Sequence, residues 1–283
     1  MKFQKYQALG NDYIVIDAAD IGVNLTPGRI RHICHRHYGI GSDGILVGSV
    51  AEDGDRYGLR ILNPDGSEAE KSGNGIRIFC KYLWDQGVVG CEPFEVRTKG
   101  GLVRCRVHRG GKNVTVEMGE VSFDSQKIPV TGDAREVLNE SIVVGGKAFR
   151  YCAATIGNPH CVIRGTEISK EETCKYGPLI ETNARFPHRT NVQFMEILDR
   201  SNIRIEIWER GAGYTLASGS SGSAAAAVAF RLRLCDPRIT VHMPGGRLRI
   251  TVSADYAITM TGPVAKVFEG VTSLGAFARR RLE

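Results

Sequence analysis

The chain lacks the features that mark membrane proteins, secreted proteins and several common enzyme classes. None of its apolar runs approaches the roughly 20 residues that a membrane-spanning helix needs, and the longest convincing run is 224–230. The amino terminus lacks the apolar core of a secretory signal. There is no Walker loop, no His-Glu-x-x-His motif and no Gly-x-Ser-x-Gly around Ser72 or Ser218. We therefore expect a soluble, cytoplasmic protein with no membrane partner.

The cysteines and the basic residues are each too scattered to define a site by themselves. The eight cysteines include no Cys-x-x-Cys pair and stand mostly in apolar stretches, so we expect buried, reduced thiols. The histidines and the cysteine of 32–37 fall around a short predicted helix, which argues against a metal site. The net charge is +6, but the dense basic cluster is confined to Arg279-Arg280-Arg281. This pattern favours an enzyme that acts on small anions over a protein that binds nucleic acid.

Strand patterns dominate the sequence and come in hairpins separated by glycine-rich turns such as Lys99-Gly100-Gly101 and Gly110-Gly111. The predicted strands are 94–98, 102–107, 114–118, 148–156, 190–197, 202–207, 239–243 and 248–252. Two longer helices are predicted among them. One begins near Ser72 and carries an apolar face to Trp84, and the other begins near Gly219 and runs to Leu234. The second is apolar nearly all round, so it should be buried inside a curled sheet.

Shorter helices are predicted at 27–37 and 170–176, and the two halves of the chain resemble one another. In each half a strand ends in a polar residue, a glycine-rich loop follows, and a serine opens a helix. Asn63 precedes Ser72 by nine positions (72 − 63), and Glu209 precedes Ser218 by nine (218 − 209). We therefore expect two similar α/β halves whose helix N-termini face one shared cleft.

Helix N-termini present unpaired backbone N–H groups and the positive end of the helix dipole, so they bind carboxylates or phosphates. Two of them, at Ser72-Gly73-Asn74-Gly75 and Ser218-Gly219-Ser220-Ser221, would hold an α-carboxylate and stabilise negative charge that develops on it. Each motif alone is better explained by a serine that caps a helix. Their matched placement in the two halves favours a ligand site.

A set of polar residues at turns and strand ends suits the ammonium and carboxylate groups of an amino acid. Each asparagine alone is an ordinary turn residue, and a single histidine is usually structural. His160 is a candidate proton carrier, because histidine titrates near neutrality. The pair Gly211-x-Gly213 lacks the third glycine of a dinucleotide site. The polar set is Asn11, Asn63, Asn158, Asn191, Glu209 and Arg210.

Taken together, these motifs resemble the diaminopimelate epimerase family along essentially the whole chain. The matching stretches, in family order, are Leu9-Gly10-Asn11-Asp12-Tyr13, Gly39-Ile40-Gly41-Ser42-Asp43-Gly44, Asn63-Pro64-Asp65-Gly66, Ser72-Gly73-Asn74-Gly75-Ile76-Arg77, Gly157-Asn158-Pro159-His160, Thr190-Asn191-Val192, Trp208-Glu209-Arg210-Gly211-Ala212-Gly213 and Ser218-Gly219. An ordered set of this kind is far more specific than any one of its members.

The resemblance implies an α+β fold of two pseudo-symmetric domains, each a curled, mostly antiparallel sheet around a central helix. It places the domains at 1–117 plus 264–283 and at 118–263, with the site between them, and it implies a homodimer. It also implies inversion of an amino acid's α-carbon in lysine biosynthesis (LL- to meso-diaminopimelate if the family substrate is kept), without a metal or pyridoxal phosphate. Catalysis would fall to residues 72 and 218, supported by His160 and Glu209 respectively.

The resemblance further implies that substrate is held by Asn11, Asn63, Gly73, Asn74, Asn158, Asn191, Arg210, Gly219 and Ser220. Three positions depart from the family: Ser72 and Ser218 stand where it has its two catalytic cysteines, and Tyr214 stands where it usually has glutamate. Tyr214 is therefore a candidate for altered specificity. The serines are either engineered or mark a natural branch, and Tyr214 with the serine-rich run 220–223 favours the branch.

Four alternatives to epimerisation of diaminopimelate stay open. The protein could racemise another amino acid, or catalyse a one-base elimination with His160 and Ser72. It could instead bind an amino acid or another protein without turnover. A hydrolase with Ser72 as nucleophile ranks last, because the sequence offers no clear third member of a triad.

Overall fold

A computed structural model describes residues 1–22, 24–50 and 56–273. The chain divides into two compact units, Met1–Val116 with Gly262–Glu283 and Glu117–Thr261. In the described ranges, no helix is long and apolar enough to cross a membrane.

In its described residues, the first unit is a mixed sheet with two α-helices and a short 3₁₀ helix at Ala18–Asp20. Its elements are β1 (Lys2–Ala8), β2 (Asn11–Asp17), α1 (Pro27–Cys34), β3 (Ile45–Val50), β4 (Arg56–Leu62), β5 (Glu68–Ala69), α2 (Gly73–Asp85), β6 (Phe94–Thr98), β7 (Gly101–Val107) and β8 (Asn113–Glu120). Neighbouring strands follow the order β1-β2-β3-β4-β6-β7-β8, and β5 shares the outer edge of β4 with β6. The β2–β3 and β4–β6 pairs are parallel and the others are antiparallel.

The second unit repeats this plan. Its elements are β9 (Glu140–Val144), β10 (Lys147–Thr155), β11 (Pro159–Arg164), α3 (Lys170–Glu181), β12 (Asn191–Asp199), β13 (Asn202–Glu209), β14 (Gly213–Thr215), α4 (Gly219–Arg231), β15 (Arg238–Met243), β16 (Gly246–Val252) and β17 (Ala257–Pro263). The order is β9-β10-β11-β12-β13-β15-β16-β17, with β14 beside β15 on the edge of β13. The chain then returns to the first unit as β18 (Ala265–Val271), which pairs with β1 just as β9 pairs with β10. The predicted fold class and the internal repeat are therefore confirmed.

Each sheet curves around its longer helix, which contacts strands from both ends of the order. Helix α2 packs against β1 and β7, and α4 packs against β10 and β16. Close approach depends on small residues: a Cβ at Gly48 of β3 would lie 2.2 Å from the Phe79 ring of α2. In α4 the consecutive alanines at 224–227 are fully buried, so this helix, as predicted, is buried on all sides.

Three of the predicted helices differ in length from the observed ones. Helix α4 ends at Arg231 rather than at Leu234, because the chain turns there and the Leu234 amide bonds to the Ala229 carbonyl. Helix α1 ends at Cys34 rather than at residue 37, because the chain folds back and the amides of Ile40 and Gly41 bond to the carbonyl of Ile33. Helix α3 continues past Tyr176 to Glu181 although it contains Pro178. Gly177 in this part of the helix lies against the side chain of Trp208, where a Cβ would come within 2.6 Å.

Candidate active site

The N-terminus of α2 is capped by Ser72, whose Oγ accepts a hydrogen bond from the Gly75 amide at 3.1 Å. Its extended backbone (φ −140°, ψ 116°) is the conformation that an N-cap residue needs. The first amides of an α-helix point away from its body at the positive end of the helix dipole, so those of α2 are placed to meet an anion. Ser72 is half-buried and Gly73 is buried.

A chain of hydrogen bonds in the first unit fixes Asn74 and Asn11 against one another. Asn74 donates to the carboxamide oxygen of Asn11 at 3.1 Å, and Asn11 donates to Asp43 at 2.9 Å. On the other side, the guanidinium of Arg77 donates to the side-chain oxygen of Asn74 at 2.9 Å. Arg77 is fully buried, and burial lowers its pKa to about 10. The structure thus brings together two predicted substrate-binding residues and adds two supporting ones, Asp43 and Arg77, to which the sequence analysis gave no role.

Asn63 occupies a different local setting. It follows β4 directly and closes the turn to β5: its amide donates to the Ser67 carbonyl at 2.8 Å and its carboxamide donates to Ser67 Oγ at 2.9 Å. These bonds hold Asn63 in the turn, and no hydrogen bond among the described residues joins it to Asn11. Lys71, immediately before Ser72, is a further charged group near this helix, and burial lowers its pKa.

In the second unit the N-terminus of α4 is capped by Ser218, which is 4% exposed. Its Oγ accepts from the Ser221 amide at 3.4 Å and lies 3.4 Å from Ser220 Oγ. Asn158 donates to Ser220 Oγ, also at 3.4 Å. Ser218, Ser220 and Asn158 are therefore adjacent, and Gly219 begins the helix between the two serines. The hydroxyl of Ser220 is available to stabilise negative charge on Ser218.

His160 was expected on a turn, but it is the second residue of β11 and is fully buried. Its Nε2–H donates to the side-chain oxygen of Asn158 at 3.0 Å. Burial, assisted by the positive charge of Arg210, lowers the pKa of His160 to about 3. Burial therefore favours the neutral imidazole, because an imidazolium at this position would be desolvated. The role of His160 as a proton carrier stays a prediction.

Gln193 on β12 lies between His160 and α4. Its Nε2 donates to Ser221 Oγ at 3.0 Å, and its carboxamide lies against the imidazole, which opposes the fall of the His160 pKa. His160 Nδ1 and Gln193 Oε1 are both buried without a hydrogen-bond partner among the described residues. Gln193 therefore joins His160 to the first turn of α4.

The hairpin between β13 and β14 carries Glu209 and Arg210. It is closed by the Glu209–Gly213 pair, and the positive φ of Gly211 (+77°) and Gly213 (+83°) requires residues without a Cβ. The Arg210 amide donates to Asn191 Oδ1 at 3.0 Å, and Asn191 donates to the Pro159 carbonyl at 2.9 Å. Three predicted site segments of the second unit, at residues 158–160, 191 and 209–210, are thus directly connected.

The side chain of Tyr214, the specificity candidate, contacts one residue of β13 and one of α3. Its hydroxyl donates to Glu206 at 2.6 Å, and the ammonium of Lys170 lies 5.0 Å from the centre of its ring. Burial and the bond to Glu206 raise its pKa. Neither partner belongs to the predicted site, so any effect of Tyr214 on specificity would pass through the β13–β14 hairpin.

Comparison with known proteins agrees with this architecture. The sequence profile of the family described as diaminopimelate epimerase matches residues 3–123 and 152–267. The chain is 58% identical over 278 residues to diaminopimelate epimerase 2 of Nostoc sp., with 98% of each chain covered. It is 38% identical over 275 residues to the diaminopimelate epimerase of Moorella thermoacetica, covering 95% of this chain and 98% of that protein.

Solved structures with much lower identity share the fold. A probable proline racemase from Agrobacterium radiobacter aligns with a TM-score of 0.70 at 17% identity, covering 96% of this chain and 93% of that one. A hydroxyproline epimerase from Agrobacterium vitis aligns with a TM-score of 0.68 at 16% identity, covering 95% and 91%.

The repeated units, each with a buried helix whose N-terminus opens on a polar cluster, define a protein of the epimerase and racemase fold. Within that fold, the chain belongs to the diaminopimelate epimerase family.

Proposed function

We propose that the protein is a cofactor-independent isomerase that inverts the α-carbon of an amino acid, with LL- and meso-diaminopimelate as its substrate pair. The matched serine caps carry this proposal, because each of the two repeated units presents one at the start of its buried helix. Relatives named diaminopimelate epimerase that match almost the whole chain support the choice of substrate.

In this proposal Ser72 and Ser218 are the two bases, one removing the α-proton and the other delivering a proton to the opposite face. The first amides of the helices, at Gly73, Asn74, Gly219 and Ser220, hold the α-carboxylate and stabilise the charge that moves onto it. Arg210 and the asparagines Asn11, Asn63, Asn158 and Asn191 orient the substrate. Glu209 supports Ser218. His160 acts as a neutral hydrogen-bonding group on the Asn158 side.

A second function has a specific observation behind it, namely serine at both base positions. A protein with this site could bind an amino acid without inverting it, because a serine hydroxyl is far less readily ionised at neutral pH than a cysteine thiol.

Our proposal also includes two domains at 1–117 plus 264–283 and 118–263, a homodimer, and a cytoplasmic location; residues 274–283 lie outside the described residues.

The primary test is exchange of the α-proton for deuterium. The protein is incubated in D₂O with LL- and meso-diaminopimelate and with a panel of L- and D-amino acids, and NMR follows the Cα–H signals. Exchange with inversion of diaminopimelate is the expected result. Saturable binding without exchange would replace the isomerase proposal with the binding function.

The serines also predict resistance to thiol reagents. Six of the eight cysteines are buried, and Cys91 and Cys174 are half-buried. None of them belongs to the proposed site, so N-ethylmaleimide should leave α-proton exchange unchanged. The Ser72→Cys/Ser218→Cys variant is the positive control, because alkylation should abolish its activity. Inactivation of the unaltered protein by an adduct on a cysteine, located by mass spectrometry, would contradict this prediction.

A further inference from the structure

Helix α3 ends at a carboxylate that is almost entirely removed from solvent. Glu181 is 3% exposed and accepts bonds from three donors. The indole N–H of Trp208 donates to one oxygen at 2.7 Å, while the Gly211 amide, at 2.9 Å, and the guanidinium of Arg189, at 2.6 Å, bind the other. An ionised carboxylate offers only acceptors, so this donor set matches it fully.

The three donors come from segments that flank predicted site residues. Trp208 and Gly211 enclose Glu209 and Arg210, and Arg189 precedes Asn191 by two positions. The Glu181 carbonyl also accepts from the Thr190 amide at 3.2 Å. The Arg210 amide bonds to the side chain of Asn191. Glu181 therefore holds the backbone next to both partners of this hydrogen bond.

Arg189 shows that this arrangement holds the chain in an unfavourable conformation. Its φ is +60°, in the left-handed region that residues other than glycine rarely adopt. Such a conformation persists only where the surroundings over-determine it. Here the Arg189 amide donates to the Phe186 carbonyl at 2.8 Å, and its side chain is held by Glu181.

We infer that Glu181 is a positioning residue for the β13–β14 hairpin and for Asn191, an inference that rests on the proposed function of Glu209, Arg210 and Asn191. Glu181 does not touch the substrate. It sets where Glu209 and Arg210 lie by holding the backbone on either side of them. The second unit thus uses a buried carboxylate, outside the previously proposed site, to organise its substrate-binding side.

The test compares Glu181→Gln with Glu140→Gln. Glu140 is a matched control in the same unit, because its carboxylate accepts from Arg135, Tyr151 and Arg185 but contacts no proposed site residue. Glu181→Gln replaces an acceptor with a donor that faces donors, so we expect kcat/KM for α-proton exchange to fall about 10- to 100-fold, with KM raised. Glu140→Gln should lower Tm but leave kcat/KM within about twofold. Glu140 shares no partner with the proposed site, and substitutions at such independent positions do not couple.

Amide hydrogen exchange of Arg210 and Gly211 supplies a readout that is independent of activity. These amides should exchange faster in Glu181→Gln and at the unaltered rate in Glu140→Gln. Unchanged exchange together with unchanged kcat/KM in Glu181→Gln would overturn the inference, and so would equal losses of activity in both variants. If the unaltered protein turns over no substrate, the proposed function fails and the amide readout alone decides the positioning role.

A milder variant covers the case in which Glu181→Gln does not fold. Trp208→Phe keeps an aromatic ring against Gly177 and removes one of the three donors. We expect faster exchange at Gly211 by a smaller factor than in Glu181→Gln. Full protection of Gly211 in Trp208→Phe, with Glu181→Gln unfolded, would show that Glu181 supports only the fold.

Discussion

Replacing both Ser72 and Ser218 with cysteine is expected to raise the rate of α-proton exchange by up to about 10⁵-fold. A thiol has a reference pKa near 8.5, and a serine hydroxyl is harder to ionise by roughly five pKa units or more. That difference corresponds to roughly 7 kcal/mol of barrier if nothing compensates. The cap bond to Gly75 and the hydroxyl of Ser220 offset part of it. The observed gain therefore measures how far this site has adapted to serine.

The single variants test the assignment of each base to one face of the substrate. Ser72→Cys alone should accelerate exchange from one stereoisomer and Ser218→Cys alone from the other, because each base removes the proton from its own side. Ser223→Cys is the matched control: Ser223 is fully buried in α4 and its hydroxyl donates to the Gly219 carbonyl. Normal substrate binding with no faster exchange in the double variant would refute the two-base site.

Local chemistry made the helical parts of the candidate site predictable from sequence. Serine is a favoured N-cap, and the apolar spacing after Ser72 marks one face of a helix. The equal separations of Asn63 from Ser72 and of Glu209 from Ser218 then revealed the repeat, which the strand pairings confirm. The roles assigned to these residues stay predictions.

The supporting residues could not be predicted, because long-range packing determines them. Glu181 and Gln193 meet partners about thirty positions away, Trp208 and Ser221, and a single polar residue in a strand or at a helix end carries no local signal. The length of α3 was also missed. Gly177-Pro178 indicates a helix end, yet the helix runs through it to Glu181, with Gly177 packed against Trp208. Asp43 lay within a recognised motif, but its bond to Asn11 depends on the fold.

Acidification should destabilise the second unit through His160. Its pKa is about 3 in the folded chain against an ordinary value of 6.5, so between these values the unfolded chain binds a proton that the folded chain does not. Stability therefore falls as pH drops below 6.5, and the loss continues towards the folded pKa. From pH 7 to pH 5 it amounts to about 2 kcal/mol. Carboxylates whose pKa is lowered in the folded chain, such as Glu140, also contribute to the free energy of unfolding. They lose that contribution at lower pH than His160 does, as the pH falls below the ordinary carboxyl pKa.

Chemical denaturation at pH 7 and pH 5, on the unaltered protein and on His160→Gln, measures this effect. Glutamine retains hydrogen-bonding capacity without the titrating ring, so the variant should lose about 2 kcal/mol less than the unaltered protein over this interval. The pKa of His242 is also lowered by burial, and the comparison cancels its contribution because both proteins carry it. NMR titration of the imidazole gives the His160 pKa directly. An inflection near pH 6.5 in kcat that disappears in His160→Gln would show that His160 exchanges protons during turnover, and the neutral role derived from its burial would then be wrong.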